Sequence, residues 1–295
     1  CLHLLIRKAK SIIIFFEYPR FLSYLAGDSV ADKICFIGAG NMAGAIIEGI
    51  LSKKVCEASD IGVIDISREK CKKFAKRGIN VYDTYEAAAK NSDIIFLSVK
   101  PQNYDEVLDA LRGYTDGKII VSIAAGISTN FIKSKLGKDS LVVRAMPNTP
   151  LLLGCGATAL CHVAPVTDQQ FDKVKRIFEA GGSVDILPED KMNAVISVNS
   201  SSPAYVYLFA KAVIDGAVKQ GIDYDTAKGL IAKTLEGSAK MIMSSGYSPD
   251  ELIKMVSSPG GTTLKALEAL YEHDFEGAII DAMQRCTKRA EELGK

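Results

Sequence analysis

The stretch KICFIGAGNMAGAIIEGILSK (33–53) constrains the fold more than any other part of the chain. Four apolar residues, Ile34–Ile37, run into Gly38-Ala39-Gly40, and apolar residues then recur at helical spacing from Asn41 onward. A strand, a glycine turn and a helix in that order form the opening of a dinucleotide-binding unit. Gly38 permits the tight turn. Gly40 lets a pyrophosphate approach bare backbone, where the N–H groups and dipole of a helix start favour an anion. Ala43 takes the place of the third glycine, a replacement the pattern tolerates. Ile37, Gly38, Ala39, Gly40, Asn41 and Met42 are therefore expected to border the dinucleotide. The plainer alternative is a glycine-rich turn with no ligand.

A second strand, DIGVID (60–65), ends in Asp65 and is followed by Ser67 and Arg68. An acid at this strand end binds the adenosine ribose hydroxyls and opposes a 2′-phosphate. Ser67 and Arg68 favour that phosphate, and Asp65 can alternatively cap the helix over 67–78. The balance leans slightly to NAD(H) and leaves NADP(H) open. Strands follow at 92–101, 118–126, 141–150, 156–163 and 183–187, with helices over 104–111, 129–136 and 168–180. This alternation predicts a Rossmann-like parallel sheet over 33–188 with the cofactor across the carboxyl ends of its strands. Ser98, Val99, Lys100, Pro101, Ala124, Ala125, Gly126, Pro147 and Asn148 should line the nicotinamide half. Lys100 reads equally well as a solvated strand-end charge.

After Pro188 no strand pattern appears. Helical spacing predicts helices over 192–221, 225–246, 248–256 and 274–294, and one more from about Thr262. Several are apolar on more than one face, notably 204–218 and 230–243, so residues 189–295 are expected to form an all-helical domain that a partner subunit covers. Tyr205, Tyr207 and Phe209 belong to core or interface. One helix start is unusual: SSPGGTT (257–263) crowds two glycines and several hydroxyls where a single cap would serve.

Charge is nearly balanced, with 36 basic and 35 acidic residues, which gives no support for a nucleic-acid or acidic-membrane partner. The seven cysteines never form a C-x-x-C pair and the three histidines are scattered. That pattern argues for free thiols in a cytoplasmic protein and against a metal centre. Residues 1–32 differ from the rest in character, and their apolar run at 11–16 is too short to span a bilayer. They read as upstream sequence translated in error ahead of a start near Val30, with no function and little packing on the remainder; a secretory signal is the alternative.

From about Lys33 onward the chain resembles pyrroline-5-carboxylate reductase, the last enzyme of proline biosynthesis. The resemblance rests on FIGAGNMAGAI (36–46), SVKPQ (98–102), RAMPNTP (144–150), SSPAY (201–205) and above all VSSPGGTT (256–263). One departure is evident: the family usually shows S-G-S-G-P-A-Y, and here Ser200 and Ser202 stand at the glycines. Asp65 also stands where many members carry a small polar residue.

The resemblance implies hydride transfer from NAD(P)H to a small cyclic imine bearing one carboxylate, in a homodimer that can assemble further into a ring of dimers. A helix start with free N–H groups holds a carboxylate without arginine. Gly260 and Gly261 let those groups converge, Ser258 adds a hydroxyl, and Thr262 or Thr263 sits beside the ring nitrogen. Similarity to the family assigns the nitrogen contact to Thr263. A protonated imine already attracts hydride, so a hydroxyl hydrogen bond and orientation suffice. Three alternatives remain: a β-hydroxyacid dehydrogenase using Lys211, a non-catalytic dinucleotide sensor, and a purely structural helical dimer.

Overall fold

The computed structural model describes residues 32–294. Its strands are short apolar runs: β1 (Ile34–Ile37), β2 (Ile61–Ile64), β4 (Ile94–Leu97) and β5 (Ile119–Ser122) are buried at every position. Burial at every position means both sheet faces are covered, as a parallel sheet requires. With β3 (Asn80–Val81), β6 (Leu141–Met146), β7 (Gly156–His162) and β8 (Gly182–Ile186) they form one sheet in the order 3-2-1-4-5-6-7-8. Helices α1 (Asn41–Ser52), α2 (Arg68–Ala75) and α6 (Asp168–Glu179) cover one face, around the stacked rings of Phe36 and Phe96 (4.6 Å). Helices α3 (Tyr85–Lys90), α4 (Tyr104–Leu111) and α5 (Thr129–Leu136) cover the other.

The expectation of an all-parallel sheet is corrected at one place. β6 and β7 pair antiparallel, because the chain joins them by a loop with a 3₁₀ turn rather than by a crossover helix. All other neighbours are parallel. The edge strand β3 is a finding that the sequence pattern did not announce.

The rest of the described chain is helical: α7 (Ser202–Lys219), α8 (Tyr224–Ser244), α9 (Pro249–Met255), α10 (Thr262–Glu272) and α11 (Phe275–Leu293). The single helix expected over 192–221 is broken. A π-helical turn occupies Ile196–Ser200, closed by Ser201 N–H donating to Ile196 O at 2.8 Å, and α7 starts afresh with Pro203 in its first turn. Proline lacks an N–H and fits only at a helix start. The expectation for the extension 1–32 concerns residues that, apart from Asp32, lie outside the described ones; Asp32 pairs with Lys173 at 2.8 Å.

Few side chains are buried within the helical region itself; Ile214, Ala227 and Ile231 form a small cluster between α7 and α8. Leu208 is 68% exposed, Met243 74% and Ile280 56%, and Tyr207, Leu230 and Ile242 are exposed with them. So much uncovered apolar surface on one chain marks a surface for another subunit. Light scattering should accordingly find no monomer at working concentration, and Leu208→Glu should weaken the assembly; a stable, active monomer would count against the interface.

Candidate functional site

Two helices among the described residues begin on a glycine cap: α1 at Gly40 and α10 at Gly261. Neither has a side-chain cap nor an acidic residue in its first turn. By contrast, Thr84, Ser128, Thr167, Asp223 and Ser248 cap their helices with side-chain oxygens. The first N–H groups of α1 and α10 thus have neither an intrahelical nor a side-chain acceptor, which is the condition for holding an anion.

The start of α1 is held open by its turn. Gly38 has φ +100° and donates its N–H to Ile64 O at 2.7 Å. A Cβ there would lie 2.6 Å from Ser98 O, so both backbone angle and space require glycine. At Gly40 the same construction meets no atom within 4 Å, leaving room against the helix start for a phosphate. Ser98 Oγ, at the end of the neighbouring strand, is buried without a hydrogen-bond partner. An open cradle on bare backbone with an unpaired hydroxyl at its side fits a dinucleotide.

Sheet order explains which residues gather there. β1, β4, β5 and β6 are successive neighbours, and the residues leaving their carboxyl ends are Gly38–Met42, Ser98–Pro101, Ala124–Ala125 and Pro147–Asn148. The fold therefore brings Ile37, Gly38, Ala39, Gly40, Asn41, Met42, Ser98, Val99, Lys100, Pro101, Ala124, Ala125 and Asn148 to one edge. Ile37, Ala39 and Ala124 are themselves buried there, and Lys100 is exposed. Asn148 Oδ1 accepts from Ala157 N–H at 2.9 Å.

Asp65, across β1 from this group, is engaged by the protein itself. One carboxylate oxygen accepts from Ala39 N–H at 2.8 Å, and the other accepts from Ser67 N–H at 2.8 Å. The Lys70 ammonium stands 3.7 Å away. Asp65 thus fastens the glycine turn to the end of β2 and leaves Gly40, rather than Ala39, as the bare backbone of the cradle. Arg68 turns to Asp83 at 3.3 Å on the surface.

The second helix start follows a compact reversal. Gly261 N–H donates to Ser258 O at 2.9 Å, and Gly260 has φ +72°, a backbone that favours glycine. Ser258 Oγ sits 2.6 Å from where a Gly261 Cβ would be. Ser258, Gly260 and Thr262 are exposed, and Thr263 is half-buried. No hydrogen bond or ion pair among the described residues joins Ser258–Thr263 to the carboxyl edge of the sheet. Lys211, the alternative catalytic lysine, lies exposed on α7 and pairs with Asp215 at 2.5 Å.

Residues at the junction escaped sequence reasoning. Asn199 and Ser200 hydrogen bond to the turn after β6, and the buried Arg144 donates to Asn193 Oδ1 at 2.5 Å. Burial holds the Arg144 guanidinium below its ordinary pKa. RAMPNTP and NSSSPAY were visible as motifs, yet nothing in either announced that they touch.

Comparison with known proteins agrees with this geometry. Residues 189–293 match the family model for pyrroline-5-carboxylate reductase dimerisation, and residues 33–126 match that for NADP oxidoreductase, coenzyme F420-dependent. Pyrroline-5-carboxylate reductase of Escherichia coli (strain K12) is 37% identical over 265 residues, covering 89% of this chain and 98% of the relative. Among solved structures, Plasmodium falciparum pyrroline carboxylate reductase with NADP bound superposes with a TM-score of 0.85 at 28% identity, covering 90% of this chain and 99% of that one. The Coxiella burnetii pyrroline-5-carboxylate reductase gives 0.81 at 33% identity, with the same coverage.

Proposed function

The chain belongs to the pyrroline-5-carboxylate reductase family, and on that footing we propose that it reduces 1-pyrroline-5-carboxylate to L-proline with NADPH or NADH, the last step of proline biosynthesis. The observation that carries the reading is the pair of uncapped, glycine-opened helix starts: one suits a pyrophosphate, the other a small carboxylate. The bound dinucleotide supplies the hydride. The chain supplies binding and orientation. Gly38 and Gly40 open the pyrophosphate cradle, while Ser98–Pro101, Ala124, Ala125 and Asn148 border the nicotinamide end. Backbone N–H groups at Thr262 and Thr263 hold the substrate carboxylate, with Gly260 and Gly261 shaping the turn and the Ser258 hydroxyl beside it. The Thr263 hydroxyl hydrogen bonds to the ring nitrogen, which orients the C=N bond and supports the charge on the protonated imine.

In this reading residues 33–188 form the dinucleotide-binding domain and 189–295 the dimerisation and substrate domain. The enzyme is a homodimer, assembled further into a ring of dimers, with no nucleic-acid partner. Its place is the cytoplasm, a reducing compartment that suits six described cysteines without disulfides. No helix among the described residues is long and apolar enough to cross a membrane.

Asp65 tunes the donor. Asp65→Ser removes a negative charge beside the adenosine ribose, while the serine hydroxyl can keep one of the two backbone contacts. Selectivity, as the ratio of kcat/KM for NADH to that for NADPH, should fall by about tenfold, the equivalent of ~1.4 kcal/mol. An unchanged ratio would show that the carboxylate serves the turn alone. Proline formation in a purified reaction, followed by chromatography, tests the proposed activity itself.

A further inference from the structure

The segment joining the sheet to α7 is stitched to the carboxyl edge of the sheet by side chains. Both Glu189 carboxylate oxygens accept from Thr129, one from its N–H at 2.7 Å and one from its hydroxyl at 2.6 Å. Farther along, Asn199 Nδ2 donates to Met146 O at 2.8 Å and to Ala157 O at 3.1 Å. Ser200 Oγ donates to Pro147 O at 3.0 Å. Met146 and Ala157 are the two feet of the loop that carries Pro147 and Asn148, so one amide group holds both feet. Asn148 adds its own tie to Ala157 N–H.

The backbone is shaped to make this contact. Asn199 and Ser200 are the last residues of the π-helical turn Ile196–Ser200, and Ser201 and Ser202 continue directly into α7. Wide turns of this kind recur at functional sites, where they re-aim side chains that a regular helix would direct elsewhere. Here the re-aimed side chains meet carbonyls at the nicotinamide end of the cleft.

We propose that Asn199, assisted by Ser200, is a positioning residue for hydride transfer: it locks the Met146–Asn148 turn and thereby fixes the start of the helical region against the cofactor edge. The inference rests on the proposed reading that Pro147 and Asn148 border the nicotinamide. Neither Asn199 nor Ser200 touches the reacting atoms; they act through the turn. Hydride transfer tolerates little misplacement, and an error of about 1 Å can cost on the order of a hundredfold in rate.

The test uses the full chain and three variants: Asn199→Ala, Asn199→Ser and Ser200→Gly. Asn199→Ala should lower kcat by about tenfold to a hundredfold, with the dissociation constant for NADPH and the KM for the imine nearly unchanged. The kinetic isotope effect on kcat with 4-deuterated NADPH should rise as the chemical step slows. In the protein without cofactor, amide hydrogen exchange over 147–157 should quicken by about fivefold to tenfold, the effect of losing one or two net hydrogen bonds. Asn199→Ser keeps one donor and should recover part of both losses. Should Asn199→Ala fail to fold, Asn199→Ser and Ser200→Gly carry the comparison, with smaller shifts in the same directions. Unchanged exchange over 147–157 would overturn the inference, because the tie would then hold nothing. Faster exchange with normal kcat would overturn it too, since Asn199 would then be merely structural. A wild-type chain inactive towards pyrroline-5-carboxylate would defeat the proposed function instead, and the exchange arm would still decide whether Asn199 locks the turn.

Discussion

Thr263→Ala is expected to lower kcat by about 10²–10³, or roughly 3–4 kcal/mol of transition-state stabilisation. Thr263 is the second residue of α10, a position where alanine is a good helix former, so the helix should survive. The glycine turn and Ser258 remain, and with them the groups that hold the carboxylate. What disappears is the hydroxyl that orients the ring nitrogen while charge redistributes across the C=N bond. KM should therefore move far less than kcat. Steady-state kinetics with the imine as varied substrate make the separation. Loss of activity in Thr262→Ala with normal kcat in Thr263→Ala would shift the role by one residue. Full activity in both would reduce the turn to a carboxylate cap.

Gly261→Val should do the reverse. A Cβ at residue 261 lies 2.6 Å from Ser258 Oγ and 3.0 Å from Ser258 O, and the latter is the acceptor in the hydrogen bond that closes the turn. A branched side chain must therefore push the reversal open or stand over the helix start. Either way the backbone N–H groups no longer converge on one carboxylate. KM is expected to rise by about a hundredfold, the order of losing one or two hydrogen bonds to a charged group at about 1.5–3 kcal/mol each. NADPH affinity, set at the other helix start, should hold. A variant with ordinary KM would place the substrate carboxylate elsewhere.

The two cradles were legible in the sequence for a local reason. An apolar run, a glycine turn and a helical period lie within a few residues of one another, and so do SSPGGTT and the helix behind it. Their chemistry needs no distant contact to be read. The sheet was legible as four-residue apolar runs, because strands covered on both faces cannot alternate. Features set by tertiary contact were not. The reversal at β7 depends on the connection lacking a helix, and β3 is two residues long, too short for a period to appear. The bonds that Asn199 and Ser200 make from the Ile196–Ser200 turn reach carbonyls of residues 146, 147 and 157, far away in sequence. The tie from Ala39 N–H to Asp65, 26 residues apart, exists only once β1 and β2 have paired, so the sequence shows the acid at the strand end but not its hold on the glycine turn.

The same limit applies to the active site as a whole. Each helix start can be recognised alone, but Ser258, Gly260 and Thr262 are exposed on a helical region whose apolar faces lie open. Assembly and catalysis are therefore expected to fail together in variants such as Leu208→Glu.

The central claim is that the two glycine-opened helix starts serve one reaction, the reduction of a cyclic imine carboxylate. The most direct measurement incubates the purified chain with 1-pyrroline-5-carboxylate and either NADPH or NADH, following dinucleotide absorbance and proline together. Consumption of at least one donor, with one proline formed for each dinucleotide oxidised, is the predicted result. No oxidation of either donor, from a protein that binds dinucleotide and is properly assembled, would contradict it.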